Sequence, residues 1–265
     1  IPTTVHSDVC GGICKATKPY LRKQTLAEHY KDGHHQYHDD CEFCVRGLMR
    51  DKPARAKSTK KKRPEYNTAS LDLIDCATKD VNGFRYAMTM VTRDTSFPTM
   101  RLLKNKRAES TRWGFHSMRT EIESMTDPAD RYKYHINSYY AEPDGKIEAV
   151  HTDPGPEFAA GFTTYMNDNK IVKLQGEVDR HTANAMNEAL NGHLQTAAAT
   201  MVAQTTNGNH HLERMVRGEA FRHACFLRQY KSLNGYQRER QISARQHQLG
   251  LSGTLDDLDL HPFGC

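Results

Sequence analysis

No stretch of this sequence approaches the ~18 uninterrupted apolar residues that a membrane-spanning helix requires, which excludes a helical membrane protein. Neither an apolar signal core nor a small-residue cleavage site follows the first residue, Ile1, so the chain is expected to be a piece of something longer. Cysteine occurs in an odd number, seven, in a chain of 265 residues that is too large to depend on disulfide staples, so a reducing compartment is expected. What remains is 37% hydrophobic and 26% charged, with a mean hydropathy of −0.78. That composition fits a soluble globular protein with some loose segments, arranged as one large domain or two small ones.

The net charge of +5 becomes informative once it is located. Residues 1–66 carry 14 Lys+Arg against 8 Asp+Glu, leaving 23 against 24 for the rest, so all the excess positive charge is N-terminal. Nine basic residues between Arg46 and Arg63 meet only Asp51. Lys57, Lys60, Lys61, Lys62 and Arg63 are candidate phosphate contacts, because basic side chains near a nucleic acid release its counterions. A solvated linker or a receptor-read nuclear address would have the same composition.

The segment LAEHYKDGHHQYHDDCEFCVRG packs His29, His34, His35, His38, Cys41 and Cys44 into 16 positions. Cys-x-x-Cys is the spacing at which two thiolates from one tight turn reach a single tetrahedral zinc. His29 is the third candidate ligand and His34 or His35 the fourth, since residues five or six apart across Gly33 can fold back together. Zinc would also stabilise a short polar segment that has no core of its own.

From residue 67 the pattern is that of a mixed α/β domain. SLDLIDC (70–76) reads as a buried strand, Asn82-Gly83 as a hairpin turn, FRYAMTMVT (84–92) as the returning strand and 99–103 as a third. Helical spacing follows over 106–124, with Trp113, Phe115 or His116, and Met118 to Ile122 as its apolar stripe. Residues 127–146 read as a loop rich in tyrosine, 147–152 as a strand and the segment from Pro156 as a helix. A short strand (171–174), a loop and a long helix (183 to about 203) complete the domain.

A three-strand meander, a helical crossover and then a strand parallel to the first is the order of a ribonuclease H-like sheet. This order brings Asp72 on the first strand, Asp153 at the end of its neighbour and Glu188 on the long helix towards one another, with Asp75 as a rival to Asp72. Carboxylates converging from separate segments suit hard divalent cations, and phosphoryl transfer gains from a metal on each side of the phosphorus.

The His29–Cys44 run, SLDLIDC followed by NGFRY, VHTDPGPEF, the helix NAMNEALNGHL and the tail segments GEAFRHACFLRQY and LDLHPFGC together resemble copia-type retrotransposon integrases of the retroviral integrase superfamily. The separation 188 − 153 = 35 is close to that family's spacing between its second aspartate and its glutamate. The resemblance covers roughly residues 26–265. It implies a five-stranded ribonuclease H-like core and two Mg²⁺ or Mn²⁺ ions held by Asp72, Asp153 and Glu188, preceded by a structural Zn²⁺ module. Asn184 matches the asparagine that commonly opens the family's catalytic helix.

The implied division is an N-terminal segment with the zinc module (1–45), a basic linker (46–66), the catalytic core (67–205) and a C-terminal helical extension (206–265). The implied activity is metal-dependent processing of element DNA 3′ ends and their joining to target DNA. Double-stranded DNA and further copies of the chain would be the partners, with a cytoplasmic particle stage and a final place in the host nucleus. The chain departs from the family at Pro154, where Asn is usual, at Ala189, where Arg is usual, and at Gly192 within the helix. Only six residues separate His34 from Cys41, where the family has more. These departures favour one alternative, a catalytically degenerate DNA-binding or assembly protein. A ribonuclease H-type or resolvase-type nuclease, with no need of a zinc module, is the other.

Overall fold

The computed structural model describes residues 24–34, 38, 40–47, 67–125, 146–175, 184–251, 253–258, 260 and 263. The basic residues Lys57, Lys60, Lys61, Lys62 and Arg63, the tyrosine-rich segment 127–145 and His35 lie outside them. Two short helices come first, α1 (Leu26–Lys31) and α2 (Glu42–Gly47). Five strands then form one sheet: β1 (Thr68–Asp75), β2 (Tyr86–Thr92), β3 (Pro98–Leu103), β4 (Ala149–Thr152) and β5 (Val172–Gln175), in the order β3-β2-β1-β4-β5. The meander β1-β2-β3 is antiparallel, whereas β4 runs parallel to β1 and β5 parallel to β4. The result is the mixed α/β sheet expected of a ribonuclease H-like fold.

Helix α3 (Ala108–Met125) connects β3 towards β4, and α4 (Ala160–Asp168) connects β4 to β5. The long helices α5 (Ala185–Thr206) and α6 (His210–Gln229) follow, then the short α7 (Gly235–Arg240) and α8 (Ala244–Leu249). The β1–β2 turn is held by Asp80, whose Oδ1 accepts the backbone N–H groups of Asn82 (2.9 Å) and Phe84 (2.8 Å). Gly83 there has φ +81°, a left-handed conformation that glycine adopts without strain.

Helices cover both faces of the sheet's centre, so β2 and β3 are buried along almost their whole length, whereas the edge strand β5 is partly exposed. On one face Leu71, Met88, Met90 and Val150 pack against Phe115, Met118 and Ile122 of α3 and Phe162 and Met166 of α4. Phe158 and Phe115 meet the Phe162 ring edge-on, at centroid distances of 5.2 and 5.7 Å. Each such ring contributes roughly 1.5–3 kcal/mol by leaving water. On the other face Ile74, Ala87, Val91 and Leu102 pack under α5 and α6 through Leu190, Leu194, Met201, Phe221 and Leu227.

Two local expectations need correction. Trp113 is 56% exposed, because the buried stripe of α3 is Thr111, Phe115, Met118 and Ile122, and a residue two positions before Phe115 points about 200° away from it. The helix expected from Pro156 begins as a 3₁₀ turn, Pro156–Phe158, and becomes α-helical only at Ala160. No helix among the described residues is long and apolar enough to cross a membrane.

Candidate functional site

Side chains alternate between faces along a strand. Leu71 therefore enters the α3 core, while Asp72 shares the α5 face with Ile74. Asp72 pairs in register with Thr89 of β2 and lies beneath the first turns of α5. Its Oδ1 accepts the Leu73 backbone N–H at 2.7 Å, and its Oδ2 accepts Asn191 Nδ2–H at 2.7 Å. Asp153 follows the last residue of β4, and Glu188 sits on the first turn of α5; both are exposed.

Electrostatics tie the three together. The Asp72 carboxyl is pushed up to about 6, first by burial and then by the negative charges of Asp153, Glu188 and Glu157, against the lowering effect of the Leu73 N–H. Asp75, the rival first carboxylate, is engaged elsewhere. It is exposed at the strand end and accepts Arg85 Nε–H (3.1 Å) and Nη2–H (3.0 Å), which hold its carboxyl below the usual range.

Three asparagines seat the helix on this site, a feature the sequence reading missed apart from Asn184. Positions 184, 187 and 191 share one helical face. Asn184 Nδ2 donates to Asp153 Oδ1 (3.1 Å) and to the Leu71 carbonyl (3.2 Å), so its side chain reaches across to β4 and β1 instead of capping α5. Asn187 is fully buried and donates to the Thr89 carbonyl at 3.3 Å. Asn191 donates to Asp72 and accepts the Thr89 hydroxyl at 2.7 Å. The available signal was the i, i+3, i+7 spacing of amides on the face that further along carries Leu194 and Ala198.

Oxygen donors alone, with burial first and neighbouring negative charge next pushing one carboxyl up, are the donor chemistry that a hard divalent cation relieves. Asp72, Asp153 and Glu188 fit such an ion in kind. The trio is open, however. Among the described residues, the set of three or more His, Cys, Asp or Glu donor atoms all within 4.8 Å of one another is a different one: His29, His34, Cys41 and Cys44.

That second cluster is built locally. Thr25 and Glu28 form a capping box that starts α1, and Gly33 (φ +62°) and His34 (φ +58°) are consecutive left-handed residues that reverse the chain after it. His34 is thereby brought under His29, with its Nδ1 2.9 Å from His29 Nε2. Cys44 Sγ lies 3.1 Å from His29 Nε2 and 3.6 Å from His34 Nδ1, and Cys41 Sγ lies 3.5 Å from His34 Nδ1. Tetrahedral zinc, with nitrogen at ~2.0 Å and sulfur at ~2.3 Å, separates its donors by about 3.3–3.8 Å. The two His34–thiol separations fall in that range, while the pairs His29–His34 (2.9 Å) and His29–Cys44 (3.1 Å) are shorter and would open slightly around an ion. All four residues are buried. Burial, followed by the neighbouring His34 and His38, lowers His29 to about 4, and burial also lowers His34. Both rings are therefore neutral near pH 7, as ligation requires. Burial pushes the Cys44 thiol up to about 11, so a cation must displace its proton. His38 turns its Nε2 to the Gln24 carbonyl at 2.9 Å, away from the donor set.

No family model matches the sequence, and no curated protein matches it significantly. Solved structures do match. One is a chain of the simian T-cell lymphotropic virus intasome in complex with PP2A regulatory subunit B56 gamma, with TM-score 0.50 and 14% identity over 80% of this chain. The match spans 64% of that longer chain. Another is the HTLV-2 integrase catalytic core domain in complex with magnesium in its trimeric form, with TM-score 0.46 and 13% identity, covering 70% of this chain and 97% of that one. At such identities the likeness is one of architecture: this chain shares its fold with the intasome chain, and here that fold is a mixed five-stranded sheet flanked by helices.

Proposed function

We propose that the chain is the integrase of a copia-type retrotransposon, a polynucleotidyl transferase that trims element DNA at its 3′ ends and joins those ends to target DNA. The observation that carries this reading is geometric: the start of α5 seats Asn191 on half-buried Asp72 (2.7 Å) and Asn184 on Asp153 (3.1 Å), which gathers both carboxylates beneath the helix that carries Glu188. Asp72, Asp153 and Glu188 would hold two Mg²⁺ or Mn²⁺ ions, which when bound supply Lewis acidity to the attacking oxygen and to the leaving oxygen. Asn191 and the Leu73 N–H fix the Asp72 oxygens, and Asn184 fixes one oxygen of Asp153. Glu188, exposed on the first turn of α5, would meet a phosphodiester laid across this end of the helix. No covalent intermediate with the protein is needed, because water and then the freed 3′-hydroxyl attack phosphorus directly.

In this reading His29, His34, Cys41 and Cys44 hold a structural Zn²⁺. Lys57, Lys60, Lys61, Lys62 and Arg63 would track the phosphates of double-stranded DNA. The chain would act as a homo-oligomer in the host nucleus after a cytoplasmic particle stage.

A second reading, a catalytically degenerate DNA-binding or assembly protein, is favoured by a specific observation: the carboxylate oxygens do not gather as closely as the His/Cys donors do. Pro154 and Ala189 point the same way. Incubation with a preprocessed DNA end, a target duplex and Mg²⁺ or Mn²⁺ separates the readings. Joined product supports the transferase, cleavage without joining supports a nuclease, and DNA binding with neither supports the degenerate protein.

A further inference from the structure

The His/Cys module is seated on the core. A Cβ on Gly33 would lie 2.0 Å from Leu227 Cδ1 and 2.9 Å from Met201 Cε, so the turn presses against α5 and α6. Lys231 pairs with Asp32, whose other oxygen accepts Gln24 Nε2–H at 3.2 Å. One contact reaches the donor set itself. His34 points Nδ1 at His29 and the two thiols, and on the opposite side of the ring its Nε2 lies 2.8 Å from Gln204 Oε1. Gln204 is on α5, the helix that carries Glu188 about 24 Å away towards its other end.

An amide oxygen only accepts hydrogen bonds. The contact therefore puts the proton on Nε2 and leaves the Nδ1 lone pair directed at the cluster, which is the tautomer a metal needs. His29 provides the contrast, because its outward Nδ1 is buried without a hydrogen-bond partner. The core thus orients one of the two imidazoles.

We propose that Gln204 is the positioning residue for the metal-ligating tautomer of His34, so that the zinc affinity of the N-terminal module is set in part by the core helix α5. This rests on reading His29, His34, Cys41 and Cys44 as a zinc site. By linkage, whatever Gln204 contributes to zinc binding, zinc returns to the docking of the module on α5 and α6. Outer hydrogen-bond partners of ligating histidines commonly change metal affinity 10–100-fold.

The test is a zinc titration of the full chain against a competing chelator for wild type, Gln204→Leu and Gln204→Glu, with circular dichroism to verify folding. Gln204→Leu should bind zinc about 10–100-fold more weakly, and Gln204→Glu, whose carboxylate accepts the same proton, should match or exceed wild type. In zinc-loaded wild type and Gln204→Glu, nitrogen NMR should show His34 protonated at Nε2. Wild type that takes up no zinc would remove the zinc reading and the proposal with it. Zinc uptake by wild type with equal affinity in Gln204→Leu would overturn the Gln204 role alone. Equal losses in Gln204→Leu and Gln204→Glu would also overturn it, because they would assign the effect to packing.

Discussion

The His/Cys cluster and the carboxylate trio are both gathered polar groups, but they are assembled by different means. The first draws four donors from 16 consecutive positions, folded together by a capped helix, a two-residue left-handed turn and a Cys-x-x-Cys turn. Burial disfavours the charged forms of His29, His34 and Cys44, and the four donors close to within 4.8 Å of one another. The second draws its members from positions 72, 153 and 188, and it exists only once β4 has paired with β1 and α5 has docked across them. Its members repel one another, and amides hold two of them from the side. Local sequence can therefore gather a His/Cys donor set that the core then seats, whereas the carboxylate trio depends on the whole sheet and stays open through like charge.

The largest expected effect belongs to the local cluster. On the proposed zinc reading, Cys41→Ser should release the ion and expose the segment from Gln24 to Gly47 to protease, because metal binding would add stability that its two short helices lack. Metal analysis and limited proteolysis measure both. Full zinc retention in the variant would remove Cys41 from the ligand set.

The carboxylate site predicts a pH effect of the next size. The folded state holds the Asp72 proton more tightly than the unfolded chain does, so stability is lost as pH rises from about 4 to about 6. The loss reaches roughly 3 kcal/mol without added magnesium or manganese. Asp72→Asn should remove that slope, which appears as the difference between the two proteins in urea melts at pH 4.5 and pH 7. Parallel curves would mean that neither burial nor the neighbouring charges raise Asp72 in the folded protein.

Two glycines give smaller effects of opposite sign. Gly33→Ala meets Leu227 at a left-handed position and should loosen the module at a cost of about 1–3 kcal/mol, read by hydrogen exchange across α1. Gly192 is exposed inside α5, where a Cβ would meet nothing within 4 Å. Gly192→Ala should stabilise the helix by about 1 kcal/mol, a rise in melting temperature. Destabilisation by Gly192→Ala would mean that the open space is occupied in the assembled protein.

The same contrast governs what the sequence could reveal. The strands were legible because Leu71, Leu73 and Ile74 in SLDLIDC, and Met88, Met90 and Val91 in the run after it, flank the turn residues Asn82-Gly83. The set His29, Cys41 and Cys44, with His34 or His35, was legible because its spacing is local. Asn184 was singled out by the resemblance, but Asn187 and Asn191 were not legible, since an asparagine on a helix reads as solvent-facing until a strand is laid beneath it. The seating of the module on α5 and α6 was equally hidden, because His34 and Gln204 are 170 positions apart and Asp32 and Lys231 are 199 apart. Trp113 misled through its hydrophobicity, while the modest Thr111 took the buried position.

The central claim is that Asp72, Asp153 and Glu188 act as one metal-dependent site, and strand transfer of a preprocessed DNA end in Mg²⁺ or Mn²⁺ tests it most directly. Wild type should join the end to target DNA. Glu188→Gln and Asp153→Asn should each lower the rate by about 1000-fold or more, through loss of several kcal/mol of transition-state stabilisation, with the same melting temperature and DNA affinity as wild type. A wild-type chain that binds DNA but joins nothing in either metal, or a Glu188→Gln variant as active as wild type, would contradict the account.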